Sequence, residues 1–197
     1  MFKSFNITIV FALLFFIFAN YTNQYVAFKR DKYLKDIGYC QEPLLDVVLD
    51  NIPEPPPDKV ELLEYIEEIL VVIPPIAYIC VGAPNSVNVL FYLGIIFLLR
   101  AATMAVTVIP TCSYKRRPEH PKNLYVPETG ISFSGHTVSS LGFLLAIYFY
   151  GHPKLALCIA PFYVLQEVIK LYVRNHYTMD ILIAIGLVSA PYMFGNF

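Results

Sequence analysis

Six apolar stretches, separated by tight turns or by charged and proline-punctuated loops, set the pattern of this chain. The first covers 1–21, with an apolar run at 7–19, interrupted by Thr8, behind Lys3. The others cover 65–81, 87–109, 132–150, 155–173 and 177–194. A helix that crosses the hydrocarbon core needs about 20 mostly apolar residues, and these stretches are of that order. The pattern predicts an all-α polytopic membrane protein with six transmembrane helices. A basic start and an apolar core also fit a signal peptide, but Ile17-Phe18-Ala19 makes a poor small-x-small cleavage site, so the first span is expected to be retained.

The polar intervals sharpen this picture. Residues 21–68 read as a long first loop with Lys29, Arg30, Lys32 and Lys35, then Pro53-Glu54-Pro55-Pro56-Pro57. Asp58 and Glu61 have capping-box spacing, which predicts a helix from near Lys59 into the second span. Pro74-Pro75 is expected to bend that span. Residues 82–85 and Gly151-His152-Pro153 are tight turns, with His152 structural. Residues 110–131 form a second long loop whose charges are expected to be solvated.

Composition adds three limits. Charged residues make up 15% of the 197 and hydrophobic ones 57%, against roughly a quarter charged in average globular chains. The length suits one domain, and a net charge of −1 gives no case for a nucleic-acid partner. Cys80 and Cys158 lie in apolar runs and are expected to be small packing residues. Cys40 and Cys112 lie in the loops and would pair only if those loops met each other in an oxidising lumen.

The candidate chemistry brackets one membrane hairpin. At its start stands Phe133-Ser134-Gly135-His136-Thr137, and at its end His176-Tyr177-Thr178-Met179-Asp180. On a helix His176 and Asp180 are i and i+4, so the carboxylate can hold one ring nitrogen and leave the other as nucleophile or base. Antiparallel spans bring the ends of the third and fifth and the starts of the fourth and sixth to one membrane face. His136, Lys170, Arg174, His176 and Asp180 therefore converge, with Arg100 deeper in the same half. Ser134 and Gly135 before a helix leave backbone amides for an anion, and with Arg100, Lys170 and Arg174 the set reads as a phosphate pocket. No metal or other cofactor is required; a zinc site from His136, His176 and Asp180 has acceptable ligands but sits among cations that would repel the ion.

These residues carry a resemblance. Gly135-His136 and His176-x-x-x-Asp180 are similar to the second and third motifs of the type 2 phosphatidic-acid phosphatase superfamily, and Phe-Ser-Gly-His-Thr with His-Tyr-Thr-x-Asp most resembles the sphingomyelin synthases and related ceramide phosphotransferases. Arg100-Ala101-Ala102-Thr103-Met104-Ala105-Val106-Thr107-Val108-Ile109-Pro110 resembles that family's third-span motif, and Pro55-Pro56-Pro57-Asp58 its proline-rich motif. The likeness covers 55–197, which would make 1–54 an N-terminal span and first loop ahead of a catalytic membrane domain with a phosphatidic-acid-phosphatase-like helical bundle.

The resemblance implies a transferase of sphingolipid metabolism. His176, oriented by Asp180, would attack the phosphorus of a phospholipid donor, and His136 would protonate the departing diacylglycerol, then deprotonate the hydroxyl of the ceramide acceptor. Glu128-Thr129-Gly130 and Asn175 depart from the family pattern near the head-group pocket, so choline, ethanolamine, inositol and plain hydrolysis stay open. Lipid phosphate phosphatase and inactive lipid-binding protein are the alternatives, and a homo-oligomer stays open. Lys29, Arg30, Lys32, Lys35, Lys59, Lys115, Arg116, Arg117, Lys122, Lys170 and Arg174 crowd the catalytic face, which the positive-inside rule would put in the cytosol. The family would put it in the lumen of the Golgi or endoplasmic reticulum, or outside the plasma membrane. The family is followed, because several of those cations would be phosphate ligands.

Overall fold

A computed structural model describes residues 7–36, 45–53, 55–107 and 132–194. Among them the chain is all helical: α1 (Ile7–Asp36), α2 (Val47–Asp50), α3 (Pro57–Cys80), α4 (Ser86–Val106), α5 (Gly135–Phe149), α6 (Pro153–Tyr172) and α7 (Thr178–Met193). Three helices are long and apolar enough to cross a membrane, at Ile7–Arg30, Ser86–Val106 and Pro153–Tyr172. Two shorter apolar helices, α5 and α7, lie among them. These make the chain a multi-pass membrane protein.

The first helix runs 15 residues past the expected end of its span at 21. No glycine or proline interrupts 7–36, and the stripe Ala12, Ala19, Asn23, Ala27 is buried at helical spacing straight through the polar residues. Hydropathy ends where periodicity continues. α1 packs along α4 in parallel: Phe15 stacks on Phe91 with ring centroids 4.9 Å apart, and Asn23 meets Arg100 further on. Gly94 allows the approach, since a Cβ there would stand 2.7 Å from Phe15 Cε1.

α3 starts two residues before Lys59, and the expected capping box does not form. Pro56 is the N-cap and Pro57 opens the helix, while Asp58 lies inside the first turn. A proline with fixed φ and no N–H suits that first position, so it sets the start and leaves Asp58 to favour the helix dipole by its charge. Pro74 and Pro75 are accommodated within the continuous helix.

One apolar core joins α1, α3, α4, α5, α6 and α7, with Leu93, Val138, Ile147 and Val188 almost fully buried. Gly142 receives Leu93 so closely that a Cβ would lie 2.5 Å from Leu93 Cδ2. Cys80 and Cys158 are exposed on the outer surface, not packed within the bundle as expected. α1, α3, α4, α6 and α7 each expose large apolar side chains, as a lipid-facing bundle does, so small thiols find no need of the core. Cys40, Cys112 and Glu128-Thr129-Gly130 lie outside the described residues. The alternating helices bring the ends of α1, α4 and α6 and the starts of α5 and α7 to one side, where α3 also passes.

Candidate functional site

The two histidine motifs meet through their backbones. Ser134 caps α5, its hydroxyl accepting from the Thr137 N–H at 3.2 Å, while its own N–H donates to the Asp180 carbonyl at 3.2 Å. The Ser134 amide is therefore used in joining α5 to α7, not left free for an anion as the sequence suggested. The start of α5 still faces a cation. Arg100 Nε donates to the Phe133 carbonyl at 2.7 Å and Nη1 to Asn23 Oδ1 at 2.9 Å. Its guanidinium carbon would be 3.6 Å from a Cβ at Gly135, so the charge lies against the helix start. Thr103 supports the same corner, sharing a 2.7 Å hydrogen bond with the Ser132 hydroxyl.

His136 is held from a helix that the sequence did not connect with it. Its Nδ1 is 2.9 Å from Glu67 Oε1, on α3, and its Nε2 is 3.9 Å from Glu68 Oε1. The other Glu67 oxygen accepts from Asn175 Nδ2 at 3.3 Å. Glu67 is 3% exposed and His136 40%, so a buried carboxylate supports a ring that remains accessible. One acidic side chain thus reaches both His136 and the residue before His176.

His176 Nδ1 stands 3.5 Å from Asp180 Oδ2, an ion-pair distance without hydrogen-bond geometry. Asp180 Oδ2 accepts instead from the Tyr177 N–H at 3.1 Å. Burial lowers the His176 imidazole well below its ordinary range, and the charges of Lys170, Arg100 and His136 lower it further, with Glu67 opposing. A ring held neutral keeps a lone pair for attack.

Two predicted cations are engaged elsewhere. Lys170 is fully buried, its ammonium 3.1 Å from both Glu167 oxygens and 2.9 Å from the Thr137 hydroxyl, which also donates to Glu167 at 2.9 Å. Arg174 Nη2 donates to the Leu49 and Ile52 carbonyls at 3.0 and 3.1 Å. Asp46 closes the other side, accepting from the Thr178 N–H at 2.7 Å and the Thr178 hydroxyl at 3.0 Å. Burial pushes the Asp46 carboxyl up, but the N–H groups of Thr178, Leu49 and Val48 and the Thr178 hydroxyl outweigh it and hold it below its usual value.

Sequence reading missed Glu67, Asn23 and Asp46. None sits in a recognisable spacing with the residue it serves. Glu167 had a signal, since it and Lys170 are i and i+3 on one helix face. A groove of about 550 Å³ lined by Asn88, Phe91, Tyr92, Ile95, Ala190, Pro191 and Phe194 lies at the start of α4 and the end of α7, away from the histidines.

Residues 131–197 match the family described as PAP2 superfamily C-terminal. The match takes in α5, α6 and α7 and both histidine motifs, about a third of the chain. No curated protein is significantly similar to the chain. The matched domain is typical of sphingomyelin synthase-like proteins and suggests lipid phosphatase or phosphotransferase activity.

Proposed function

We propose that this protein is a membrane lipid phosphotransferase that moves a phospho-head-group, of choline or ethanolamine type, from a glycerophospholipid to ceramide. The observation that carries the reading is Glu67, whose two oxygens meet His136 Nδ1 at 2.9 Å and Asn175 Nδ2 at 3.3 Å. It supports placing the two imidazoles on either side of one phosphoryl group. Six spans, with α3 and the shorter α5 and α7 among them, complete the proposed bundle. Its catalytic end faces the lumen or the exterior.

His176, neutral and turned towards Asp180 by Nδ1, attacks the phosphorus through Nε2. The bond from phosphorus to the diacylglycerol oxygen breaks, and His136 gives that oxygen its proton. His136 then takes the proton of the ceramide primary hydroxyl, whose oxygen bonds to phosphorus as the phosphorus–nitrogen bond breaks. Asp180 stabilises the positive charge on His176 while it is phosphorylated. Arg100 beside the Gly135 helix start offsets the charge on the phosphoryl oxygens, as preorganised donors do. Lys170, paired with Glu167 and donating to the Thr137 hydroxyl, braces the first turn of α5 from behind.

The test is a product assay with purified protein, a labelled choline or ethanolamine phospholipid, and ceramide present or absent. A labelled sphingophospholipid, lost in His176→Ala, is expected. Phosphate or phosphocholine released regardless of ceramide would instead make the protein a phosphatase or lipase of the same chemistry. Full activity in His176→Ala would reject the mechanism.

A further inference from the structure

The segment 45–53, between α1 and α3, lies outside the residues that match the family, yet it grips the turn that bears His176 from two sides. Asp46 binds Thr178 by both backbone and hydroxyl, on the C-terminal side of His176. Arg174 binds the Leu49 and Ile52 carbonyls, on the N-terminal side. Between the two polar anchors, Leu49 is 2% exposed and packs against Tyr177 and Leu171. Asp46 also closes its own segment, accepting from the Val48 and Leu49 amides at 3.0 and 3.2 Å, so the gripping element is itself fixed.

The turn needs such support. Arg174 has φ +60°, a backbone region that costs a residue with a Cβ about 1–2 kcal/mol. His176 Nδ1 makes no hydrogen bond of its own, and Asp180 is 3.5 Å away. The turn's own N–H groups at 174 and 175 bond back to the Leu171 and Lys170 carbonyls, but no hydrogen bond holds Nδ1 of the ring, so the imidazole's position depends on everything that holds residues 174–178.

We propose that segment 45–53 is a clamp on the nucleophile, in which Asp46 and Arg174 are positioning residues that set the attack geometry of His176. This rests on His176 being the nucleophile, as proposed above. Arg174 then acts through the Leu49 and Ile52 carbonyls and not by touching the substrate phosphate. The consequence is a division of labour between parts of the chain: the C-terminal helices carry the reacting groups, and the connection ahead of α3 holds them at the angle they need. Displacement of a reacting atom by about 1 Å can cost about a hundredfold in rate.

The experiment compares wild type with Asp46→Ala, Asp46→Asn, Arg174→Ala and Asp46→Ala/Arg174→Ala in detergent micelles. Turnover is read with a labelled choline phospholipid, and amide hydrogen exchange is read across 173–178. Each alanine variant is expected to lower kcat by ten- to a hundredfold with KM for the phospholipid within about twofold. The double variant should lose little more than either alone, because both anchors hold one turn. Asp46→Asn should recover part of the loss, since its amide oxygen can still accept from the Thr178 N–H while its NH2 cannot accept from the Val48 and Leu49 amides. Exchange at Thr178 should accelerate in both Asp46→Ala variants. A raised KM with unchanged kcat in Arg174→Ala would make Arg174 a phosphate contact and overturn the clamp. Unchanged exchange at Thr178 in Asp46→Ala would overturn it too, with or without turnover. An active His176→Ala enzyme would sink the catalytic reading alone, because the exchange result judges the clamp by itself.

Discussion

Glu67 and His136 are 69 residues apart in sequence and 2.9 Å apart in space. The carboxylate lies ten residues into α3, which at about 1.5 Å of rise per residue is some 15 Å along the helix from its start. α3 therefore overlaps α5 with more than two turns to spare, and only that overlap places Glu67 level with the first turn of α5. The pair fixes the tautomer in which Nδ1–H donates to Glu67 and Nε2 is left to carry the working proton.

Glu67→Ala is expected to lower kcat by about a hundredfold, the lower end of what general acid–base catalysis contributes. Glu67→Gln, which keeps an acceptor for Nδ1–H but loses the charge, should fall less. Steady-state kinetics with a labelled phospholipid checks both, and equal loss in the two variants would mean that the charge alone matters.

His176 predicts a pH dependence of stability. Its folded pKa lies below the ordinary value of 6.5, so the unfolded chain takes up the proton first as the medium is acidified. Stability is whole above about pH 6.5 and declines as pH falls towards the lower, folded value. Thermal unfolding in detergent across pH 8 to 5 should show this fall, and His176→Gln should flatten it.

The buried Glu167–Lys170 pair should behave as a structural unit. Removing one partner leaves a charge uncompensated in the bundle, which in buried pairs costs about 3–5 kcal/mol. Glu167→Ala should therefore lower the melting temperature sharply, and Glu167→Leu/Lys170→Met should regain much of it. A double variant no better than the single one would show that the network does more than neutralise itself.

Gly142 and Leu93 offer a packing test far from the chemistry. A methyl at 142 meets Leu93 Cδ2 at 2.5 Å, and Leu93 is 1% exposed with little room to turn. Gly142→Ala should destabilise by about 1–3 kcal/mol, as overpacking does. Leu93→Ala in the same chain should offset part of that, because the methyl then fills space the leucine leaves. Melting of the two single variants and the double decides it, and strict additivity would contradict the contact.

By itself the sequence determined the helical class and the bounds of α4, α5, α6 and α7 to within about three residues, apart from the first-loop helix and the overrun of α1. Hydropathy marks where a chain avoids water, and Gly151-His152-Pro153 and Asn85 mark where it turns, so these limits are local. It also expected His176 and Asp180 on one helix face, but α7 begins at Thr178, so His176 stands in the turn before the helix and meets Asp180 only at 3.5 Å. What only the tertiary structure decided is who answers the charges. Lys170 goes to Glu167, Arg174 to the carbonyls of Leu49 and Ile52, Arg100 to Asn23 and Phe133, and His136 to Glu67. A charge in an apolar bundle takes whichever partner the packing brings within about 3 Å, and which helices lie side by side is set by small residues such as Gly94 and Gly142, whose positions leave no trace in the polar pattern.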